Sequence, residues 1–161
     1  MFNLKAEFYL KIIFLFSFIA LISAFFIEYV LGHQPCKLCL IERIPYGLSI
    51  IIIISIFLIK KNQKFLILLL IFTFAFSFAI SFYHYGIEQG FFQESSVCAS
   101  KDLTESITKE DLLKQLSEKT ISCRDVTFRI FGLSLTSINI VVSLFFITTL
   151  LKIFNKYEKN K

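Results

Sequence analysis

Charged residues are scarce in this chain, and their scarcity excludes a soluble fold. Asp, Glu, Lys and Arg make up 18% of the 161 residues, whereas 56% are hydrophobic, with 21 Phe and no Trp. A soluble domain of this size could not bury so much apolar surface, so a bilayer must act as solvent for much of it. The net charge of +5 does not indicate a nucleic-acid partner, because the basic residues form small clusters between apolar runs.

Asp, Glu, Lys and Arg are absent from four long runs, which are residues 12–27, 44–59, 65–87 and 130–151. A helix needs about 20 residues to cross the hydrocarbon, so the last two runs suffice alone and the first two need their flanks. The lack of charge also argues against a small transporter. We therefore predict an all-α membrane protein, a four-transmembrane-helix bundle. It forms a single integral membrane domain over residues 1–161, with spans of roughly 9–29, 43–60, 65–86 and 130–152.

The first run also resembles a cleaved signal peptide in part, since Lys5 and Lys11 precede an apolar core that ends at Ala24. Apolar residues continue through residues 25–27, and three more runs follow. We therefore expect a retained first helix.

The distribution of charge indicates the orientation of the bundle. The second loop and the C-terminal tail each sum to +3 and the N-terminal segment to +1, whereas the first loop sums to 0 and the third to −2. Basic residues favour the cytoplasmic side, so we expect both termini inside and two periplasmic loops, residues 30–42 and 87–129. The four cysteines all lie in these two loops: Cys36, Cys39, Cys98 and Cys123. Outside a bacterial inner membrane disulfides persist, so the cysteines indicate two disulfides or a dithiol relay.

The longer loop contains a candidate short amphipathic helix at residues 107–116. Thr108 is a plausible N-cap, and Ile107 and Leu112 occupy the positions of a hydrophobic staple. We expect its leucines to lie in the membrane interface, with a packed loop helix as the alternative.

Cys36 and Cys39 have the spacing of a Cys-x-x-Cys dithiol. The thiolate is the reactive form, and a helix N-terminus or a nearby cation lowers the pKa of the thiol. Pro35 favours a helix that begins near Cys36, and Lys37 and Arg43 supply positive charge. Arg43 lies four residues after Cys39, on the same helix face, where a guanidinium could stabilise a thiolate or an anionic acceptor.

Two other interpretations of the cysteines remain open. A zinc site would need Cys98 and Cys123 as further ligands, but these are 25 residues apart with no histidine at ligand spacing, so we expect no metal. In the second interpretation the disulfides are purely structural. The Cys-x-x-Cys spacing argues against this, because so short a closed ring restrains the unfolded chain little.

Three segments resemble the DsbB family of disulfide-forming membrane proteins. They are Pro35–Cys39 with Glu42 and Arg43, residues 83–90 (Tyr-His-Tyr-Gly-Ile-Glu-Gln-Gly), and Cys123–Asp125 leading into residues 131–134 and Asn139. The vitamin K epoxide reductase type is a rival, but there the loop pair precedes the Cys-x-x-Cys, whereas here Cys36 and Cys39 come first.

This resemblance implies a protein-dithiol:quinone oxidoreductase. A Cys98–Cys123 disulfide would oxidise a periplasmic thioredoxin-like partner of the DsbA type, with Cys98 forming the mixed disulfide. Electrons would then pass, through exchange between Cys36 and Cys123, to a Cys36–Cys39 disulfide. Each step is attack of a thiolate on a disulfide sulfur, and the final acceptor is a membrane quinone, ubiquinone or menaquinone.

The resemblance also implies a quinone site formed by Cys39 and Arg43, with His84 as a possible hydrogen-bond donor. The acids receive simpler interpretations: Glu42 as a solvated acid at headgroup level, and Glu28 and Glu88 as charges at the membrane edge. His33 has no assigned role. In the fourth span, hydrogen bonds that join helices are expected from Ser134, Ser137, Asn139 and Ser143.

Overall fold

The computed structural model describes residues 4–59, 62–93, 98, 122–124, 129–130 and 132–159. Within these residues the chain forms four long helices and one small hairpin. The helices are α1 (Leu4–Tyr29), α2 (Lys37–Leu58), α3 (Gln63–Glu88) and α4 (Leu135–Lys159). The hairpin pairs β1 (Arg129–Ile130) with β2 (Leu133–Ser134) in antiparallel register.

The predicted four-helix membrane bundle is confirmed, because all four helices are long and apolar enough to cross a membrane. The sequence also explains why they are helices. In α2, Ile50–Ile54 is a run of β-branched residues with a low helix preference in water. In lipid, however, a spanning segment must satisfy its backbone internally, and a helix does so. The loop helix expected at residues 107–116 lies outside the described residues.

Two helix starts differ from the spans expected from the apolar runs. Helix α2 begins at Lys37, before the expected span but near Cys36 as Pro35 predicted, because Cys36 caps it: the Cys39 N–H donates to the Cys36 sulfur. Helix α4 begins at Leu135 rather than at residue 130, because the β1–β2 hairpin occupies residues 129–134. Its turn contains Gly132 at φ +81°, a conformation that favours glycine.

Each helix packs mainly on its neighbour in the chain, so the bundle is not closed between the first helix and the last. Helix α4 packs mainly on α3, α3 on α2, and α2 on α1, while α1 and α4 make few contacts with each other. Aromatic and aliphatic side chains fill the centre, where the Phe146 ring meets the Phe74 ring edge-on at 5.0 Å. The scarce contact between α1 and α4 leaves room for a cavity between them.

Polar side chains also join the helices inside the bundle. Asn139 of α4 donates to Ser81 of α3 at 2.7 Å and accepts from the hydroxyl of Tyr46 of α2. The Ser143 hydroxyl donates to that of Ser77 at 3.2 Å. The expected role in joining helices is therefore seen for Asn139 and Ser143. Ser134 and Ser137 instead bond each other at the start of α4.

We expect Ser143→Ala to lower the free energy of unfolding by about 0.6 to 1.7 kcal/mol, the range for a single hydrogen bond between membrane helices. The matched control is Ser55→Ala, because the Ser55 hydroxyl bonds the Ile51 carbonyl of its own helix. Unfolding in mixed micelles, followed by circular dichroism, measures both variants. Equal losses in the two variants would contradict a role for Ser143 in joining α3 and α4.

Candidate functional site

The Cys-x-x-Cys pair lies at the N-terminus of α2. Cys36 is the N-cap residue and is 6% exposed, whereas Cys39, in the first turn, is half-buried. Both are free thiols in the structure, rather than the Cys36–Cys39 disulfide expected from the sequence. The structure therefore presents the dithiol form of the pair.

The surroundings of Cys36 favour its thiolate. The pKa of the Cys36 thiol is lowered from its usual value, first by a hydrogen bond from the Cys39 thiol and then by the backbone N–H groups of Cys39 and Leu38. Burial and the nearby Glu42 carboxylate act in the opposite direction but do not outweigh these bonds. Cys36 is therefore suited to act as a nucleophile or as a leaving group in thiol exchange.

The second cysteine pair lies against the first. Cys98 and Cys123 form a disulfide with a Cα–Cα distance of 5.4 Å, and both are buried. They share one buried group, which we name the cysteine cluster, with three other residues: Cys36, Leu38 and Ile87. Half-buried Cys39 packs against this cluster, so the fold brings all four cysteines together, although 62 residues separate Cys36 from Cys98 in sequence.

His84 of α3 contacts Cys36 of the Cys-x-x-Cys pair. Its side chain is 2% exposed, with Nε2 3.5 Å from the Cys36 sulfur and Nδ1 2.8 Å from Oε1 of Glu42. The sequence suggested that His84 could bond a quinone. Instead the structure places it beside Cys36, and it is not among the residues that line the cavity between α1 and α4.

The interpretation of Glu42 as a solvated acid is wrong. Glu42 is 9% exposed, and both carboxylate oxygens are bonded: Oε1 to His84, and Oε2 to the Asn139 amide at 3.2 Å. Glu88 is also buried rather than a charge at the membrane edge, and it accepts from the Thr136 hydroxyl at 2.6 Å. These acids turn inward because α3 and α4 offer hydrogen-bond partners there.

Two thiols and one imidazole form a possible set of metal donors. The sulfurs of Cys36 and Cys39 and a ring nitrogen of His84 all lie within 4.8 Å of one another. This set is not visible in the sequence, because the two cysteines lie at the start of α2 whereas His84 belongs to α3.

Arg43 lies on α2, four residues after Cys39, where the helix meets α1. Its guanidinium forms an ion pair with Glu28 of α1 and lies 5.3 Å from the centroid of the Phe25 ring. Glu28 therefore does more than mark the membrane edge, because it fixes the position of Arg43 across the α1–α2 interface.

A cavity of about 350 Å³ opens between α1, α2 and α4, within the size range of small-ligand pockets. Cys39 and Arg43 line it together with His33, Gln34, Glu42, Tyr46 and Asn139, while α1 supplies mostly apolar and small side chains, including Ala20 and Ala24. Such a site, largely apolar with a few polar groups, has the composition of a small-ligand pocket. Of the predicted quinone contacts, Cys39 and Arg43 face this cavity and His84 does not.

Sequence reasoning missed Tyr46 and Gln34 as lining residues, and it assigned Glu28 and Glu42 to the surface. One signal was available for Glu42, since it lies three residues after Cys39 and so near the same helix face. Tyr46 likewise lies three residues after Arg43. Their inward direction depends on which helix packs where, and the pattern of apolar runs does not specify this.

Comparison with known proteins agrees with this arrangement. The family model described as "Disulfide bond formation protein DsbB" matches residues 6–153, nearly the whole chain. A curated relative, the uncharacterised protein RP370 of Rickettsia prowazekii (strain Madrid E), is 30% identical over 130 residues, which cover 80% of this chain and 76% of the relative. The chain is thus a multi-pass membrane oxidoreductase of disulfide formation, and it belongs to the DsbB family.

Proposed function

We propose that the protein reoxidises a periplasmic DsbA-type dithiol protein and passes the electrons to a membrane quinone. The observation that carries this proposal is the two-sided position of the Cys-x-x-Cys pair. Cys36 packs in the cysteine cluster with the Cys98–Cys123 disulfide, and Cys39, which packs against this cluster, also lines the cavity, as does Arg43. A pair placed in this way can receive electrons on one side and release them on the other.

The first half of the reaction is thiol exchange. A thiolate of the reduced partner attacks Cys98, the Cys98–Cys123 bond breaks, and Cys123 leaves as a thiolate. Cys123 then attacks Cys36 of an oxidised Cys36–Cys39 pair and releases the Cys39 thiolate. The second thiol of the partner resolves its mixed disulfide and releases Cys98, so that the partner leaves oxidised. Cys98 then attacks Cys123 in the Cys36–Cys123 disulfide, which restores the Cys98–Cys123 bond and releases Cys36 as a thiolate. The two electrons then lie on the reduced Cys36–Cys39 pair.

The second half takes place at the cavity, where a bound quinone would supply a two-electron acceptor. Arg43, held by Glu28, lines the same cavity as Cys39, so its positive charge is available to stabilise negative charge that develops on a bound acceptor. Release of two electrons, with uptake of two protons by the acceptor, closes the Cys36–Cys39 disulfide again. The apolar lining from α1 keeps water away from this step.

We further propose that the protein lies in the bacterial inner membrane, with both termini in the cytoplasm and all four cysteines on the periplasmic side. The distribution of basic residues supports this orientation, since the second loop and the C-terminal tail each carry +3. An oxidising compartment is also where such a relay would be useful.

We expect Cys39→Ser to abolish quinone reduction while the variant still inserts in the membrane. Purified protein, quinone and a reduced DsbA-type partner are mixed, and quinone absorbance is followed. Because Cys98 and Cys123 remain, the variant should still oxidise about one equivalent of partner. Continued quinone turnover would contradict the proposed order of the relay.

We expect Arg43→Ala to raise the apparent KM for quinone by about 10- to 100-fold, since a hydrogen bond to a charged group contributes about 1.5–3 kcal/mol. The apparent KM for the partner should change little. The matched control is Lys37→Ala, which removes one positive charge from an exposed position in the first turn of the same helix. An equal effect of the two variants would remove Arg43 from the quinone site.

We expect a membrane-impermeant maleimide to label Lys37→Cys but not Asn62→Cys on intact cells, each in a chain whose native cysteines are replaced by serine. Both positions are exposed: Lys37 begins α2, and Asn62 is the N-cap residue of α3, beyond the other end of α2. Lysed cells, in which both variants should react, provide the control. Labelling of Asn62→Cys alone would reverse the proposed orientation.

A further inference from the structure

Cys36, Cys39 and His84 form a compact group of nitrogen and sulfur donors at the start of α2. Their donor atoms lie within 4.8 Å of one another, and both cysteines are free thiols. Thiolates and an imidazole are the ligands that zinc prefers among the common biological cations. The redox cycle proposed above uses the two thiols but gives His84 no contact with the quinone.

The spacing of the donors agrees with a tetrahedral ion. A zinc ion lies about 2.3 Å from a thiolate sulfur and about 2.0 Å from an imidazole nitrogen, so two such ligands at a tetrahedral angle are about 3.5 Å apart. The Cys36 sulfur and Nε2 of His84 are separated by 3.5 Å. The Cys39 sulfur lies within 4.8 Å of both, within reach of the same centre after a small side-chain rotation.

Glu42 prepares the imidazole for this role. Its carboxylate accepts a hydrogen bond from Nδ1 of His84 at 2.8 Å, so the ring proton belongs on Nδ1 and the lone pair of Nε2 points toward the Cys36 sulfur. A carboxylate behind a metal-binding histidine is the usual outer layer of zinc sites, where it fixes the tautomer and the ring orientation. The Asn139 amide in turn fixes Glu42.

We propose that the reduced Cys36–Cys39 pair and His84 form a binding site for Zn²⁺, and that the bound ion holds the pair in its reduced state. Binding converts two thiols to thiolates and releases two protons, with no change of oxidation state. The Cys36–Cys39 disulfide has no thiolate to offer, so metal binding and disulfide formation exclude each other. The inhibitory consequence depends on the function proposed above, whereas the metal site itself does not.

The three protein ligands leave one tetrahedral position for water or another small donor, as in zinc sites that remain open. Half-buried Cys39 faces the cavity, which supplies a route to this position. A bound ion would also engage the Cys39 thiolate at the lining of the cavity. Zinc is therefore expected to stop electron release at the cavity side of the pair.

The test uses Co²⁺ as the probe, in the full-length chain carrying Cys98→Ser and Cys123→Ser, reduced and freed of reductant. Only Cys36 and Cys39 then remain as thiols, and the chain has no complete relay, so the measurement does not depend on quinone turnover. We expect one equivalent of Co²⁺ to produce a thiolate-to-cobalt absorption band that Zn²⁺ displaces. Oxidation of the pair should abolish the band.

Two variants in this background test His84 and its support. His84→Ala should weaken Co²⁺ binding by more than Glu42→Gln does, and Glu42→Gln should weaken it by about 10- to 100-fold, the range for loss of an outer-layer partner. The control is Ser55→Ala, near the other end of α2, where the Ser55 hydroxyl bonds the Ile51 carbonyl of its own helix; it should leave the Co²⁺ affinity unchanged. Circular dichroism and gel filtration verify that each variant is folded.

Unchanged Co²⁺ affinity in both folded His84→Ala and Glu42→Gln would overturn the proposal, as would absence of the band in the reduced parent chain. In the native chain, Zn²⁺ should inhibit quinone reduction, and a chelator should restore it. Tight Co²⁺ binding that depends on His84, in a chain without quinone reduction, would support the metal site and reject the proposed function. Normal quinone reduction without Co²⁺ binding would support the proposed function and reject the metal site.

Discussion

The Glu42 carboxylate lies inside the bundle, and each of its oxygens is hydrogen-bonded to a different helix. One accepts from His84 of α3 and the other from Asn139 of α4, while Glu42 itself belongs to α2. A buried carboxylate without partners would be costly, so the three helices must keep the arrangement that satisfies it. Because Cys39 lies one helical turn before Glu42, this constraint also fixes where the Cys-x-x-Cys pair lies.

The start of α2 borders two chemical environments, the buried cysteine cluster and the cavity. Cys36 caps α2 and lies among buried neighbours that include the Cys98–Cys123 disulfide. Cys39 packs against these neighbours and also lines the cavity that opens where α1 and α4 scarcely touch. The Arg43–Glu28 ion pair joins α2 to α1 at this edge. A relay that connects aqueous thiol exchange with an acceptor in the membrane needs two separate faces of this kind.

The polar groups of the bundle extend from the cysteine end toward the middle of the helices. Tyr46, Ser81 and Asn139 continue the hydrogen-bonded network below Glu42. Two bonds between buried serines, Ser49 to Ser17 and Ser143 to Ser77, extend it into the aliphatic and aromatic core. In a membrane, such a network stabilises the bundle only modestly per bond, but it restricts which helix faces can meet. The position of Arg43 and Glu42 beside the cavity is therefore a consequence of packing as much as of local sequence.

The sequence alone determined the four spanning helices, because lipid allows a long uncharged run few conformations other than a helix. It also indicated the functional class, because three segments resemble the DsbB family and because the spacing of Cys36, Cys39 and Arg43 is local and follows from helix geometry. Only the tertiary structure decided that His84 lies beside Cys36 rather than the cavity, and that Glu28 and Glu42 turn inward. These contacts join residues from different helices. The distribution of hydrophobic residues, which fixes each helix separately, does not specify how the helices rotate against one another.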